Sequence, residues 1–398
     1  MNITVLSIIA SILDNDLYKF SMGYAYMRLY PLAEGTFRFT DRAGEVYSKE
    51  EVDEIRREIC ALNSLKLSDE EFKWCVKNIP YIPESYWEWL KQFRYDHNKV
   101  IVEHDKDGKL HIEVTDKMYR VTMYEVPILK IVSSIRNRRY KCIMKDVEKV
   151  IYNKAKFALE NDLKFADFGT RRCFNHDVHD KVLEVLFTVC PANCTGTSNV
   201  YFAKKYGVKP IGTMAHEWIM FHAGCFGFQR ANYLSLEDWV EVFDGNLGIA
   251  LIDTYTTESF LRTLTLKQAK LFDGMRQDSG DEYVIGNMII DRYEELGIDP
   301  TTKTIVFSNA LNFKKWLKIA RYFKTKINTS AGIGTFLTCD PGIEDFIAPN
   351  IVMKLVCCRM SPKDPMEDVI KISDDLGKHM GNHELFETAK QLLHLNID

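Results

Sequence analysis

The sequence contains no CxxC pair, no tandem repeat and no low-complexity segment, although ten cysteines are spread along it. The missing CxxC pairs argue against a zinc ribbon, and the missing repeats argue against a solenoid. Cysteines at irregular spacings are typical of small apolar side chains that stay reduced in the cytosol. We therefore expect a cytoplasmic protein whose thiols are free.

A strongly basic charge and a long apolar run are also absent. The formal net charge is −4, which argues against a nucleic-acid coat or a polybasic membrane binder. The apolar run at residues 3–13 has no basic flank and is too short to span a bilayer. We interpret it as a core element rather than a signal peptide.

Two regimes divide the rest of the chain. Residues 32–125 mix strand-like alternation with acidic amphipathic stretches, including a capping box at Ser68 and Glu71, and predict a small α+β domain. From about residue 126, short apolar runs alternate with helical stretches, which is typical of a parallel sheet. We assign an N-terminal α+β domain to 1–125 and a catalytic α/β domain to 126–374. Residues 375–398 are expected to pack on the N-terminal domain.

Six strand runs are clear in the second regime, at residues 165–170, 209–215, 248–254, 304–309, 326–334 and 351–356. With room for two weaker strands, they suggest a closed eight-stranded barrel, and a doubly wound open sheet is the alternative. Functional side chains of such a barrel gather where strands end. The polar clusters of this sequence lie at those ends, which predicts a single site.

The first clusters are open to two interpretations. Phe168 offers a ring for stacking, and Arg171 offers a guanidinium that can bind phosphate or carboxylate, but a solvated helix start fits equally well. Thr197 and Ser198 lie in a polar turn that, on its own, indicates a helix cap. The histidines of the HDVH stretch at 176–179 resemble a metal-binding spacing only weakly, and we place them on a solvated helix.

The next clusters carry titratable groups. A lone histidine is more often structural, but His216 follows one predicted strand and Asp253 ends another. A carboxylate on one ring nitrogen would fix the tautomer and make the other nitrogen a better base or nucleophile. Arg276 and Asp278 lie in a charged turn that suits a pair of sugar hydroxyls or a magnesium ion, and such a turn can also be an ordinary loop.

The last predicted strands end in turns that suit phosphate. Gly332, Gly334 and Thr335 form a turn whose backbone N–H groups could approach phosphate oxygens, and Ser308 and Asn309 end the preceding strand. The final strands of a barrel often carry phosphate sites. Together, the clusters fit a phosphorylated sugar and an aromatic acid.

In this order, the motifs resemble those of the nicotinate phosphoribosyltransferase family. The resemblance runs from about residue 13 to 377 and rests on DNDLYKFSM (14–22), EVPIL (125–129), FGTRR (168–172), GTSN (196–199), GTMAHEW (212–218), IDTYTT (252–257), RQDSGD (276–281), FSN (307–309) and GIGT (332–335). It implies a type II phosphoribosyltransferase with an irregular TIM-like α/β barrel and an N-terminal α+β domain. It also implies a homodimer with shared active sites.

The resemblance also implies roles for the matching residues. The pyridine ring would lie between Phe168 and Tyr18, with Tyr18 contributed by the partner subunit. Arg171 and Arg276 would hold the ring substituent and phosphates, and Asp278 would bind the ribose hydroxyls.

Further roles concern phosphate and ATP. His216 would be phosphorylated by ATP and oriented by Asp253. Mg²⁺ would accompany the pyrophosphate, without a metal site made by the protein alone. The 5′-phosphate would be bound by Asn309, Gly332, Gly334 and Thr335.

Ser198 bears on the choice of substrate. The related nicotinamide-using enzymes carry an aspartate at the matching turn, and that carboxylate would repel the carboxylate of nicotinate. We therefore expect nicotinate mononucleotide and pyrophosphate as products, formed in NAD salvage and driven by ATP hydrolysis. A nicotinamide or quinolinate phosphoribosyltransferase and a non-catalytic sensor of phosphoribosyl ligands are the alternatives. No nucleic-acid or membrane partner is expected.

Overall fold

The computed structural model describes residues 7–375 and 381–395 of the chain. Their strands, labelled in chain order, are β1 (Glu34–Asp41), β2 (Val100–His104), β3 (Leu110–Lys117), β4 (Phe165–Asp167), β5 (Cys194–Thr197), β6 (Ile249–Leu251), β7 (Gly274–Gln277), β8 (Thr304–Phe307), β9 (Asn328–Ile333), β10 (Ile351–Arg359) and β11 (Glu367–Asp368).

The α-helices of the same residues are α1 (Leu17–Leu29), α2 (Lys49–Ala61), α3 (Asp69–Asn78), α4 (Glu84–Gln92), α5 (Met118–Val121), α6 (Glu125–Asn137), α7 (Met144–Glu160), α8 (His176–Val189), α9 (Val200–Tyr206), α10 (His216–Phe226), α11 (Phe228–Phe243), α12 (Thr257–Thr263), α13 (Leu266–Leu271), α14 (Glu282–Glu295), α15 (Phe313–Phe323), α16 (Thr335–Thr338) and α17 (His383–Leu392).

Local capping signals explain several helix boundaries. The predicted capping box is present at the start of α3, where Ser68 and Glu71 exchange side-chain and backbone hydrogen bonds. Residues 257–271 contain two helices, α12 and α13, rather than one. Thr265 is extended and forms another capping box with Gln268, so α13 starts anew after α12 ends.

Five strands form an antiparallel sheet in the order β11-β10-β1-β3-β2. The prediction that residues 351–356 belong to the parallel sheet is wrong, because β10 pairs antiparallel with β1 and places Ile351 opposite Asp41. Burial largely alternates along β10. That pattern is typical of a sheet with one face covered, whereas strands of a parallel sheet are covered on both faces.

The other six strands form a parallel sheet in the order β5-β4-β9-β8-β7-β6. The mixed α/β fold with a parallel sheet and an N-terminal domain is confirmed, whereas a closed eight-stranded barrel is not. The segment at 209–215 contributes only a backbone bridge from Pro210 to Thr197 on β5. Thr213 of the same segment donates a hydrogen bond to the carbonyl of Ile249 on β6. This segment therefore lies between the two edges of the parallel sheet.

Two internal helices connect the sheets. Nine of the thirteen residues of α1 are buried, and so are all thirteen residues of α6. Helices covered on every side are core elements rather than surface ones. The first turn of α1 is attached to the turn after β5, because the backbone N–H of Leu17 donates to the carbonyl of Ser198 over 2.8 Å.

The last described helix, α17, contacts α11 and α12. Gln229 on α11 and Arg262 on α12 donate hydrogen bonds to the last carbonyls of α17, at Leu392 and Leu393. These bonds place the end of α17 beside α11 and α12, and the expected packing of residues 375–398 on residues 1–125 remains a prediction. The ranges 1–125 and 126–374 remain predictions. In the described residues, no helix is long and apolar enough to cross a membrane.

Candidate active site

A cavity of about 1570 Å³ opens at the carboxyl ends of the parallel strands and is bounded on its other side by β1 and β10. The ends of parallel strands meet at one edge of their sheet, so residues distant in sequence converge there. The predicted site residues that line this cavity are Tyr18, Phe168, Arg171, Ser198, His216, Arg276, Asp278, Ser308, Asn309, Gly332, Gly334 and Thr335.

The two predicted ring-binding residues lie in the same cavity of one chain. Tyr18 is in the first turn of α1, and Phe168 follows β4. In this structure Tyr18 comes from the same chain as Phe168 rather than from a partner subunit, because α1 is bound to the turn after β5 of its own chain. A Cβ at Gly332 would lie 2.2 Å from ring carbons of Phe168. Glycine is therefore needed for this ring to lie against β9.

Asp167, the last residue of β4, holds the turn that carries Phe168. Its carboxylate accepts hydrogen bonds from the backbone N–H of Gly169 (2.9 Å), from Thr197 Oγ1 (2.7 Å) and from His179 Nε2 (2.8 Å). Thr197 thus acts behind the cavity wall and not as part of its lining. The prediction that His179 lies on a solvated helix face is wrong, because the imidazole is fully buried.

The charge of His179 depends on that carboxylate. Burial alone would lower the pKa of His179, but the attraction and hydrogen bond of Asp167 raise it to about 9. The imidazolium and the carboxylate therefore form a buried ion pair at neutral pH. The pair makes the strand end rigid where the cavity begins.

Arg171 lines the same cavity as the ring-binding pair. Its Nη1 lies 3.3 Å from Oε1 of Glu125, and its side chain is 39% exposed. The neighbouring Tyr18 hydroxyl, Glu125 and Asp16 raise the pKa of Arg171 above its ordinary value, so the guanidinium keeps its charge. Only part of its hydrogen-bonding capacity is used by Glu125, and the rest can reach a carboxylate in the cavity.

Arg276 approaches the cavity from β7. Its Nη1 donates to the carbonyl of Met214 over 3.4 Å, and its Nη2 lies 3.8 Å from Oδ1 of Asp278. Its buried Nε has no hydrogen-bond partner among the described residues. An arginine held by one carbonyl and one loose ion pair can still bind an anion.

Ser198 has a neighbour that its sequence context does not reveal. Its Oγ donates a 2.7 Å hydrogen bond to Oδ1 of Asp16, and Asp16 also lines the cavity. Burial raises the pKa of Asp16, while Arg171 and the Ser198 hydroxyl oppose the shift. The cavity wall beside Ser198 therefore still carries a carboxyl group, that of Asp16, and the Ser198 hydroxyl holds it in place.

His216 begins α10 and contacts three polar groups. Its Nδ1 lies 3.0 Å from Oγ1 of Thr254, and its Nε2 lies 2.9 Å from Nζ of Lys371 and 3.3 Å from Oδ2 of Asp278. Burial and then the charge of Lys371 lower the pKa of His216 to about 4. Because an ammonium group can only donate, Nε2 accepts from Lys371 and the ring proton lies on Nδ1, toward Thr254.

Asp253 does not orient His216 directly, contrary to the prediction. Its Oδ2 accepts from Ser279 Oγ (2.6 Å) and from Lys371 Nζ (3.3 Å). Asp253 is fully buried and lies behind the cavity wall, so it acts on His216 through Lys371. Lys371 is one of the residues that sequence reasoning missed. A single lysine within the apolar run at 369–372 is the signal that could have identified it.

Ligand atoms of His216, Asp253 and Asp278 lie within 4.8 Å of one another, which is close enough for a shared metal ion. The ammonium group of Lys371, however, contacts both His216 and Asp253. A metal ion would have to displace this cation. The residues therefore do not fit a metal site formed by the protein alone.

The predicted phosphate residues divide into two sets. Gly332 lies near the end of β9, and Gly334 lies between β9 and α16. A Cβ at Gly334 would lie 2.9 Å from the carbonyl oxygen of Phe168. Ser308 instead holds Asp278, to whose Oδ1 it donates over 2.6 Å. The amide nitrogen of Asn309 lies 3.3 Å from the carbonyl oxygen of Gly280, so this side chain is oriented by the turn after β7.

The opposite wall of the cavity carries cations that the sequence motifs did not indicate, namely Arg38, Arg42 and Lys354, and Arg172 of the FGTRR motif adds a further cation beside Arg171. Burial and then the charge of Lys371 lower the pKa of Lys354 to about 7. Burial and then Arg171 lower the pKa of Arg172 to about 10. Such shifts indicate crowded positive charge that an anion would relieve. The period-two spacing of positions 38, 40 and 42 could have indicated this shared face.

Comparisons with known proteins agree with this geometry. The model described as the "Nicotinate phosphoribosyltransferase (NAPRTase) family" matches residues 163–396, and that of the family's N-terminal domain matches residues 13–133. Proteins named "Nicotinate phosphoribosyltransferase" from Methanosarcina mazei and Chromohalobacter salexigens are 37% and 39% identical to the chain. Each alignment covers 97% of this chain and 98% of the relative.

Solved structures are similar over the same length. A nicotinate phosphoribosyltransferase from Porphyromonas gingivalis superposes with a TM-score of 0.95 at 41% identity, over 97% of this chain and 99% of the other. One from Vibrio cholerae superposes with a TM-score of 0.93 at 32% identity, over 99% of this chain and 96% of the other. The similarity therefore includes both sheets and the cavity between them.

Proposed function

The chain belongs to the nicotinate phosphoribosyltransferase family, and we propose that it transfers the phosphoribosyl group of phosphoribosyl pyrophosphate to nicotinate. The products are nicotinate mononucleotide and pyrophosphate, and the reaction belongs to NAD salvage. One observation carries the proposal: a tyrosine ring, a phenylalanine ring, an arginine and a glycine turn from distant parts of one chain line a single cavity.

The reaction follows from what these groups can bind. The pyridine ring stacks on Tyr18 and Phe168, and its carboxylate pairs with Arg171. The turn at 332–335 binds the 5′-phosphate through backbone N–H groups. The pyridine nitrogen then attacks C1′ of the ribose while the bond from C1′ to the pyrophosphate oxygen breaks.

No protein nucleophile takes part in this transfer. The transition state resembles an oxocarbenium ion, and the carboxylate of Asp278 lies where it can hold the ribose hydroxyls. The pKa of Asp278 lies well below its ordinary value, since Arg276, His216 and Lys371 outweigh its burial. The cations of the opposite wall, Arg42 and Lys354 among them, compensate the charge of the departing pyrophosphate.

ATP hydrolysis through His216 is the second part of the proposal. Lys371 turns from Nε2 to the oxygens of the incoming phosphate, the freed lone pair of Nε2 attacks the terminal phosphorus of ATP, the bond to the ADP oxygen breaks, and water later removes the phosphoryl group. Lys371, which donates to Nε2, is placed to neutralise the transferred group. Mg²⁺ enters with the diphosphate oxygens rather than at a preformed protein site, since Lys371 occupies the carboxylate cluster.

A homodimer and a cytoplasmic location also belong to the proposal. Free cysteines at all ten positions support a reducing compartment. The ring-binding pair is complete within one chain, so dimerisation is not needed to bring Tyr18 to Phe168. A second subunit would instead act on stability or on the cavity mouth.

The proposal is tested by pyrophosphate release from phosphoribosyl pyrophosphate with nicotinate, nicotinamide or quinolinate, each with and without ATP. We expect release with nicotinate, faster when ATP is present, and no carbon dioxide. Preference for nicotinamide would favour the nicotinamide enzyme, and carbon dioxide from quinolinate would favour the quinolinate enzyme. Binding of phosphoribosyl pyrophosphate without pyrophosphate release would favour the sensor.

A further inference from the structure

Three buried charges and the partly exposed Arg171 form a row of ion pairs beside the cavity. Lys19 is fully buried and contacts the carboxylates of both Glu125 and Glu217. Glu125 also accepts from Arg171, with 3.3 Å between Oε1 and Nη1. Glu217 directly follows His216 in the chain. Three consecutive ion pairs therefore connect the guanidinium at the ring-binding end to the residue beside the histidine.

Side chains of helix α1 also connect the ring-binding residues to the segment that carries His216. Its first turn carries Tyr18, which faces the ring-binding site. Farther along α1, Ser21 donates to the carbonyl of Thr213 over 2.7 Å, and Tyr26 donates to the carbonyl of Glu217 over 3.2 Å. The segment that carries His216 is thus attached to the helix that carries a ring-binding residue.

The charges in this row cannot change independently of one another. Burial raises the pKa of Glu217, whereas Lys19 and Arg171 overcome burial and hold the pKa of Glu125 below its ordinary value. A carboxylate bound at Arg171 competes with Glu125 for the guanidinium. Glu125 would then bind Lys19 more strongly, and Lys19 would bind Glu217 less strongly, because one ammonium serves both acids.

We propose that Lys19 is a positioning residue that couples the binding of the ring carboxylate at Arg171 to phosphoryl transfer at His216. Glu125 and Glu217 transmit the change. This inference rests on the proposed function, since it assigns nicotinate to Arg171 and ATP to His216. A purely structural ion-pair row would affect only stability, whereas a coupling row sets how many ATP molecules are hydrolysed for each nucleotide formed.

The test measures ADP and nicotinate mononucleotide produced by the same sample, and takes their ratio. Glu217→Gln keeps the size of the side chain and removes its charge. The double variant Lys19→Met/Glu217→Met removes one charge of each sign and leaves Glu125 paired with Arg171. In both variants, we expect the ratio of ADP to nucleotide to rise about fivefold or more, the range of ordinary coupling between sites.

Lys130→Met is the matched control. Lys130 is as fully buried as Lys19 and pairs with Asp14, but contacts neither Arg171 nor Glu217 in the described structure. This control should melt at a lower temperature and keep the wild-type ratio of ADP to nucleotide. Lys19→Arg, which keeps the charge, should retain most of the coupling.

The outcomes separate the two proposals. Variants that fold and keep the wild-type ratio would overturn the coupling role of Lys19 while leaving the proposed function intact. An equal rise of the ratio in Lys130→Met would also overturn it, because loosening of the core would then be enough. A wild-type enzyme that forms no nicotinate mononucleotide would overturn the proposed function, and the coupling with it.

Discussion

The ammonium nitrogen of Lys371 lies 2.9 Å from Nε2 of His216, and the same nitrogen lies 3.3 Å from Oδ2 of Asp253. Lys371 thereby joins the histidine to a buried carboxylate that does not contact it directly. It also fixes the tautomer, because Nε2 must accept from an ammonium group. The histidine is therefore held in the neutral form that a phosphoryl acceptor needs.

Replacing His216 tests its role in ATP hydrolysis. In His216→Ala, we expect the stimulation of nucleotide formation by ATP to disappear, together with acid-labile phosphoryl labelling of the protein from ATP. Formation without ATP should persist, since no protein nucleophile attacks C1′. His111→Ala, at an exposed histidine of β3, is the control and should behave like the wild type. Intact labelling of His216→Ala would contradict the assignment.

Replacing Lys371 tests the contact described above. Lys371→Met removes the donor to Nε2 and leaves the buried Asp253 without its cation. Loss of one preorganised electrostatic group typically lowers kcat by about 100-fold, and we expect a loss of this order in ATP-dependent turnover. Lys371→Arg should recover part of it. Circular dichroism establishes that the variants fold, and a folded Lys371→Met with wild-type ATP-dependent turnover would refute the role.

Replacing Ser198 tests the choice of substrate. Ser198→Asp puts a second carboxyl group beside Asp16, with which Ser198 now shares a hydrogen bond. The added negative charge should lower kcat/KM for nicotinate by about tenfold or more and favour nicotinamide. Ser198→Asn introduces a neutral side chain of nearly the same size as aspartate and is the control for steric effects. An unchanged preference in Ser198→Asp would remove the specificity argument.

Mixing of variants tests whether one chain completes the ring-binding pair. Tyr18→Ala and Phe168→Ala should each lose most activity with nicotinate, because each removes one stacking face. If both rings come from one chain, co-expressed or mixed variants should stay as inactive as each alone. Recovery of activity on mixing would show that the two residues act across a subunit interface. Mixing of either variant with wild-type protein provides the reference for subunit exchange.

The pair of His179 and Asp167 predicts how stability depends on pH. The folded-state pKa of His179, about 9, lies above its ordinary value of 6.5. The contribution of the ion pair to the unfolding free energy is therefore complete below about pH 6.5 and is lost as pH rises through 9. A pKa shift of this size corresponds to about 3 kcal/mol. Urea unfolding of wild type and His179→Gln should show a difference that shrinks between about pH 6 and about pH 10. A difference that is constant with pH would contradict the buried ion pair.

Sequence patterns identified much of the site because it lies at strand ends. Phe168, Asp278, Asn309 and Gly332 each follow or end a parallel strand, and parallel strands present their carboxyl ends at one edge. Their convergence could thus be predicted without knowing any contact. The alternation of short apolar runs with helical stretches, which predicts these strands, also distinguishes the second part of the chain from the first.

Contacts between distant segments could not be predicted in this way. Ser198 and Asp16 are 182 positions apart, and only the docking of α1 on the turn after β5 brings them together. Lys354 and Lys371 follow the last parallel strand, β9, in a region where the next strand, β10, joins the antiparallel sheet. The period of a strand indicates a covered face but does not identify the sheet that it joins.

His179 shows a third limit. The polar HDVH stretch suggested solvent, but the carboxylate of Asp167 pairs with this imidazole in the core. A buried histidine is stable there because its partner compensates the loss of hydration, which is a tertiary property and not a local one. The same reasoning applies to Lys19, whose two carboxylate partners are 106 and 198 positions away from it.

A crystal structure with nicotinate mononucleotide bound is the most direct test of the central claim. We predict the pyridine ring between Tyr18 and Phe168 of one chain, its carboxylate on Arg171, and the phosphate on the turn at 332–335. A nucleotide bound outside this cavity would contradict the account. A nucleotide whose pyridine ring contacts neither Tyr18 nor Phe168 would also contradict it.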